Sequence, residues 1–248
     1  MPTLHLLGTG AALSDAHRTT TMLAVTDGSS TLVIDCGGDV VQRLLAAGIA
    51  LDTVDGLLLT HEHIDHVGGF PLFMEKMWLA GRRDPIPVYG LAPALAQARR
   101  SFEAFDTTDW VDVPEIFWRP VSQEEGSMVL VTATWDVRAA PGIHPVPVIG
   151  MRVQHVQTQR AVVASGDTHP SPAITRLATG ADILVHEATG SSAGHTSAVE
   201  AARIAARASV GRLLLVHVSP GLSDGDLQEA RQHFADTEIG VEMGSYAF

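Results

Sequence analysis

The run Thr60-His61-Glu62-His63-Ile64-Asp65-His66-Val67-Gly68-Gly69 places four side chains able to ligate a metal, His61, His63, Asp65 and His66, within six positions. Imidazole and carboxylate are the donors a catalytic zinc takes, at about 2.0–2.2 Å. A lone histidine is more often a surface or hydrogen-bonded core residue, but four donors this close point to a metal centre. The segment ahead of them, Gly56-Leu57-Leu58-Leu59-Thr60, is apolar on both sides and reads as a buried strand. His61 and His63 then project from the tip of that strand, while Asp65 and His66 approach from the turn or helix start that follows. Gly68-Gly69 allows close backbone passage around the site.

One such cluster does not complete two metal spheres, so further donors are expected where other buried strands stop. Asp167, in Gly166-Asp167-Thr168, follows the apolar run Ala161 to Ala164. His217 follows Leu213-Leu214-Leu215-Val216, and His144 stands in Pro141-Gly142-Ile143-His144-Pro145 ahead of Val148 to Val153.

The elements that must hold these residues are short. Thr3 to Leu7, Thr20 to Thr26 and Thr31 to Ile34 read as strands separated by turns at Gly8-Thr9-Gly10 and Asp27-Gly28-Ser29. Asp39 to Ala47 has helical spacing and stops at Gly48. Asp182 to Val185 is a strand running into His186, Thr196 to Ala208 is an Ala-rich helix closed near Gly211, and Arg212 to Val216 is a buried strand delivering His217. Strand, helix, strand and ligand-type residue thus occur twice, which suggests two similar halves whose strand ends meet at one edge, where ligands of open sheets gather. Between them, Pro71 to Gln123 is rich in Met, Trp and Phe (Met74, Met77, Trp78, Trp110, Phe117, Trp118). This is core packing or, alternatively, an apolar wall over a cleft.

The 248 residues fit one domain, 1–248, with no linker or repeat to divide them. The single cysteine, Cys36, excludes an internal disulfide and a Cys-rich zinc cage, and suits a reducing cytoplasm. No apolar stretch is long enough for a membrane span, and the first residues lack the pattern of a secretory signal. A formal charge of −12 opposes binding to phosphate backbones unless a metal or basic patch offsets it.

The sequence resembles the metallo-β-lactamase-fold hydrolases, and within them the ribonuclease Z-like branch. The matching pieces are Gly8-Thr9-Gly10-Ala11-Ala12 with Arg18 shortly after, His61-x-His63-x-Asp65-His66, Gly166-Asp167-Thr168, Asp182 to Thr189, Gly194-His195-Thr196-Ser197-Ala198 and Leu215-Val216-His217-Val218-Ser219. They span nearly the whole chain in the family's order. The resemblance implies an α/β fold, a four-layer αββα sandwich with a dinuclear metal site at one edge of the two sheets. His61, His63 and His144 would hold the first metal, Asp65, His66 and His217 the second, and Asp167 would bridge. His155 is the rival to His144. Glu187 and His195 are implied near the leaving group. The family's transfer-RNA-gripping arm is missing, because only 23 positions separate His144 from Asp167, and the Arg-Tyr expected after Ser219 is replaced by Pro-Gly-Leu.

Two divalent ions, zinc foremost with manganese or iron also suited, would share a hydroxide that attacks phosphorus or a carbonyl carbon. Asp65 would orient this nucleophile, and His195, positioned by Glu187, would protonate the leaving atom. The alternative for His195 is a residue that only caps the following helix. Asp35 is expected to support a ligating imidazole, His186 to be structural, His169 to face substrate, and His5, His17 and His233 to be ordinary. The favoured reading is a cytoplasmic phosphodiesterase on a small or nucleotide-like substrate. Acyl hydrolysis, by a lactonase or thioesterase, is the alternative on the same metals. A long nucleic acid partner and a membrane are not expected. An exposed surface between Phe102 and Trp118 would serve a homodimer or a lid. Non-catalytic metal binding and iron redox chemistry are the remaining readings of the same donor set.

Overall fold

The computed structural model describes residues 1–248. Strands β1 (Thr3–Gly8), β2 (Met22–Thr26), β3 (Thr31–Ile34), β4 (Val54–Leu59), β5 (Ile86–Gly90) and β6 (Ile116–Pro120) form most of a first sheet. Strands β7 (Ser127–Val131), β8 (Trp135–Pro141), β9 (Ile149–His155), β10 (Ala161–Ala164), β11 (Ile183–Glu187), β12 (Arg212–Val216) and β13 (Thr237–Ile239) form a second, and β14 (Ser245–Ala247) returns to the first. Each sheet has seven strands, in the orders β14-β1-β2-β3-β4-β5-β6 and β13-β12-β11-β10-β9-β8-β7.

Side-chain alternation along these strands builds three layers of core. Leu23, Val25, Leu32, Ile34 and Leu58 of the first sheet face Trp135, Val137, Val162, Val185 and Leu214 of the second across one buried cluster. Their neighbours Met22, Ala24, Val33, Leu57 and Leu59 point the other way. They pack beneath α1 (Val40–Ala46), α3 (Phe70–Leu79) and α4 (Ala92–Glu103). Val163, Leu184, Leu213 and Leu215 likewise pack beneath α6 (Ala198–Ala208), with Ala230 of α7 (Asp224–His233) in the same cluster. Helices therefore cover both outer faces, giving the expected αββα order. Two short helices, α2 (Ile64–Val67) and α5 (Pro172–Leu177), complete the set. No helix is long and apolar enough to cross a membrane.

Strand direction positions the site. β3 runs parallel to β4, and β10 runs parallel to β11 and β12. β1 and β8 each reach this polarity through an intervening antiparallel strand. The carboxyl ends of β1, β3 and β4 thus lie together, as do those of β8, β10, β11 and β12. The two sets meet where Gly10, after β1, bridges to Val218, after β12.

Several boundaries differ from the sequence expectation. β11 runs two residues further, through His186 and Glu187, because its ladder with β12 continues to the Glu187–Val216 pair. α6 starts at Ala198 rather than Thr196, because Ser197 takes the cap and the Thr196 amide donates instead to the Glu187 carboxylate. The same helix ends on Ser209, left-handed at φ 52°, before Gly211 is reached. In the middle segment Met74 and Met77 are fully buried core residues, and Trp118 and Phe102 pack against the same cluster.

Candidate metal centre

His61 stands immediately beyond Thr60 at the end of β4 and is wholly buried, His63 caps α2, and Asp65 and His66 lie within it. The turn is tight. The Cys36 amide donates to the His66 carbonyl at 2.8 Å, and the Gly69 amide donates to the Cys36 carbonyl at 2.8 Å. A β-carbon at Gly69 would lie 2.2 Å from the Gly38 carbonyl oxygen, and one at Gly37 would lie 1.6 Å from that of Asp65. Glycine at these positions is what lets α2 sit against the end of β3. Cys36 itself is buried among apolar side chains, and burial pushes its thiol well above the usual range.

Two groups of donors converge there. One atom each from His61, His63, His144 and Asp167 lies within 4.8 Å of the others, and Asp65, His66 and His217 form a second such group. His63 Nδ1 is 3.1 Å from His61 Nε2 and 3.2 Å from His144 Nε2. Asp65 Oδ2 is 3.2 Å from His217 Nε2 and 3.6 Å from His66 Nε2. Asp167 lies between the groups, its Oδ2 3.9 Å from His61 Nε2 and 3.3 Å from His217 Nε2, its Oδ1 3.5 Å from His66 Nε2.

The remaining nitrogen of four imidazoles is tied to an acceptor, which orients each ring and fixes its tautomer. His61 Nδ1 donates to Thr60 Oγ1 at 3.0 Å, and that hydroxyl donates onward to Asp35 Oδ2 at 2.8 Å. His66 Nδ1 donates to Asp35 Oδ2 at 2.7 Å. His144 Nδ1 donates to the Gly194 carbonyl at 2.8 Å. His217 Nδ1 donates to Thr189 Oγ1 at 2.7 Å, whose own hydrogen goes to the His217 carbonyl at 3.0 Å. Nε2 of each of these four rings is therefore the atom turned toward the other donors and the carboxylates.

That arrangement fits a cation. The lone pairs of His61 and His144 both point at His63 Nδ1, and His66 Nε2 is a buried nitrogen with no hydrogen-bond partner. The donor chemistry, imidazole with carboxylate, is that of a divalent metal site. Burial, helped by the neighbouring His66, lowers the proton affinity of His61 to a pKa of about 2, so this ring is neutral and free to ligate. Burial alone would raise Asp65 and Asp167. The His217 hydrogen bond and the adjacent imidazoles instead hold Asp65 at about 2, and His217 and His66 hold Asp167 well below the carboxylate range. His66 moves the other way: burial opposes its charge, but Asp167 and Asp35 raise it well above the ordinary value.

Backbone strain accompanies this geometry. Asp35 (φ 61°) and His217 (φ 50°) both occupy the left-handed region, which costs a non-glycine residue about 1–3 kcal/mol. His217 is held there by donation from its amide to Thr21 Oγ1 at 3.0 Å.

Beside the donors, Glu187 is buried and fully engaged. Its Oε1 accepts from His195 Nδ1 at 3.0 Å, from the Thr168 amide at 3.0 Å and from the Thr196 amide at 3.1 Å, and its Oε2 accepts from the Thr189 amide at 2.9 Å. One carboxylate thus ties together the loops carrying Asp167, His195 and Thr189. A ring nitrogen of His195 comes within 4.8 Å of the Asp167 and His217 donor atoms. The hydrogen bond to Glu187 outweighs burial and raises its proton affinity. His195 does not cap α6, since Ser197 and Glu200 form the capping box.

The other sequence candidates lie apart. His155 is at the end of β9 against Trp135, with Thr158 Oγ1 2.9 Å from its Nδ1 and Asp27 3.9 Å from its Nε2, away from both donor groups. His186 faces the helical layer because side chains alternate along β11. Its Nδ1 donates to the Glu187 carbonyl at 2.9 Å, and it touches no donor. His169 is exposed, with Nδ1 3.2 Å from the His195 carbonyl. Sequence reasoning missed Thr60, Thr21 and Thr189. A hydroxyl residue directly before His61 was a usable signal for the first, but only the fold brings the other two to the site. It also missed Glu242, which accepts from the amides of Thr9 at 2.9 Å and Thr19 at 3.1 Å and so braces the Gly8-Thr9-Gly10 turn.

Residues 30–218, a span containing every donor named above, match the family model described as a beta-lactamase superfamily domain. A ribonuclease Z of Mycobacterium sp. (strain KMS) is 34% identical over 251 residues, covering 91% of this chain and 86% of that protein. The solved structure of the metallo-beta-lactamase fold protein YhfI from Bacillus subtilis is similar at TM-score 0.81 and 22% identity, covering 99% of this chain and 98% of the other. Human tRNase Z, short form, is similar at TM-score 0.81 and 20% identity, with the same coverage. With this fold, this clustering of histidine and aspartate, and relatives of this kind, the chain belongs to the beta-lactamase superfamily, as a metallo-β-lactamase-fold, metal-dependent hydrolase most similar to the ribonuclease Z-like branch.

Proposed function

We propose that the protein is a phosphodiesterase acting on a small or nucleotide-like substrate at two divalent metals. His61, His63 and His144 would hold one ion, Asp65, His66 and His217 the other, with Asp167 between them. Zinc suits these donors, as do manganese and iron. When bound, such ions activate water as a nucleophile and offset charge building on the attacked group.

The observation that carries the phosphodiester reading is the His195–Glu187 pair at 3.0 Å, next to the donor cluster. Glu187 holds the imidazole by Nδ1 and raises its proton affinity, the direction a proton donor to the leaving atom requires. An alkoxide leaving phosphorus depends on that proton far more than a thiolate does. Asp65, ionised and 3.2 Å from His217 Nε2, would orient the nucleophile. The small-substrate reading is supported by the net charge of −12 and by the 23-position interval between His144 and Asp167. Within it lie only β9, a turn and β10, without an arm to grip transfer RNA.

One observation favours acyl hydrolysis instead. Ile64 and Ile143, the neighbours of His63 and His144, are 81% and 49% exposed, an apolar rim that would suit an acyl chain. Turnover of bis(p-nitrophenyl) phosphate by the metal-loaded protein, set beside panels of lactones and thioesters, separates the two. Phosphodiester hydrolysis as the dominant activity is expected. Robust acyl hydrolysis with no phosphodiesterase activity would overturn the proposal in favour of the second reading.

A further inference from the structure

A groove of about 560 Å³ runs between α3 and the segment leading from the end of α4 to Trp110. Leu72 and Glu75 line one side, Phe102, Phe105, Asp106 and Trp110 the other, and Gly68 lies at its end, one residue past α2. This size falls within the range of small-molecule sites, roughly 300–1,000 Å³.

The aromatic wall is built before any ligand arrives. The Trp110 indole is stacked on Trp78, centroids 4.7 Å apart and planes within 1°, and Phe102 meets it edge-on at 6.1 Å. Trp78 Nε1 donates to the Val111 carbonyl at 2.7 Å, pinning the segment to α3. The charge on the groove has one sign. Glu75 and Asp106 are its only ionisable residues. Glu75 makes no ion pair, whereas the adjacent Lys76 is held by Asp39. Asp106 accepts from Thr108 through Oδ1 alone, leaving Oδ2 free. The nearby Arg99 guanidinium is occupied over the Trp118 ring.

Ring faces and free carboxylates together attract an organic cation and repel an anion. A second copy of this chain, itself carrying −12, would bring more negative charge to the same surface. We propose that this groove is a binding site for a small alkylated ammonium ion, held by cation–π attraction to Phe102, Phe105 and Trp110 and by the charge of Glu75 and Asp106. Because ring faces attract without hydrogen bonds, a fully methylated nitrogen loses nothing there.

Choline, titrated into the metal-loaded protein by calorimetry with tryptophan fluorescence recorded in parallel, tests the site against its uncharged carbon isostere, 3,3-dimethylbutan-1-ol. Saturable binding of choline alone is expected, weakened about three- to tenfold by Glu75→Gln and similarly by Asp106→Asn. Both variants should melt with the parent protein, since neither carboxylate supports the core. Equal binding of the neutral isostere, choline binding unchanged in both variants, or no saturable response would each overturn the assignment. The readout needs no turnover, so its outcome is independent of the phosphodiester reading.

Discussion

An imidazole ligates through whichever nitrogen its neighbours leave free, so the acceptors behind a metal-binding histidine matter almost as much as the ring. Asp35 is the busiest of them, receiving the His66 ring at 2.7 Å together with the Thr60 hydroxyl and amide at 2.8 Å each. Asp35→Asn removes the charge and offers that ring a competing donor. Metal affinity, read by competition with a chromophoric chelator, should fall about 10–100-fold. His195→Ala separates catalysis from ligation. With His195 as proton donor, kcat should drop about 10²–10⁴-fold while metal stoichiometry, measured by elemental analysis, stays unchanged. Loss of metal in that variant would make His195 a ligand instead. His61, His63, Asp65 and His66 were legible in the sequence because one turn carries all four. Thr189, which supports His217 from 28 positions away, and the Gly194 carbonyl behind His144 carry no local pattern.

Secondary-structure ends decide whether these side chains arrive correctly, and α6 shows how. Its capping box closes when the Ser197 amide and hydroxyl donate to Glu200 Oε2 at 2.9 and 2.7 Å and the Glu200 amide donates to Ser197 Oγ at 3.3 Å. Burial would raise the Glu200 pKa, but these bonds and the Ser191 hydroxyl bring it below its ordinary value. A carboxyl lowered in the folded state stabilises the fold above its unfolded pKa, and that contribution is lost as pH falls through the folded value. Glu200→Gln keeps the capping geometry but loses the charge at the helix N-terminus, so it should cost about 0.3–1 kcal/mol near neutral pH. The difference should shrink as the pH falls and the lowered Glu200 carboxylate is protonated, as urea denaturation at neutral and acidic pH would reveal. Apolar strands ending in polar residues were readable along the chain, as was the Ala-rich stripe of α6. The cap at Ser197 was not, because Thr196 offers an equally good capping side chain and only its amide bond to Glu187 decides between them. The three-residue strands β13 and β14 are too short to carry a period and exist through pairing with β12 and β1.

At the scale of the molecule, two seven-stranded sheets supply one centre, so metal and fold are thermodynamically linked. Metal bound at about 1,000 times its Kd adds about 4 kcal/mol to stability. Chelation should accordingly lower the melting temperature with little change in far-ultraviolet circular dichroism, and an unchanged melt would count against a resident metal. Repetition of strand, helix, strand and donor was visible in the sequence and corresponds to the two sheets. Their face-to-face packing depends on long-range contacts such as the Trp135 indole donating to Ser30 Oγ at 2.8 Å, 105 positions apart. The shared polarity of the donor-bearing strands also gives the molecule a blind end. There Arg160 pairs with Asp182 at 2.8 Å and Arg212 with Asp236 at 3.3 Å, and five residues of β12 carry the chain from Arg212 about 16 Å to His217. Since the sole natural thiol, Cys36, is sealed in the interior, a cysteine introduced at this blind end would be the one reactive handle. An enzyme tethered to a solid support through it would stand with its mouth open to the liquid.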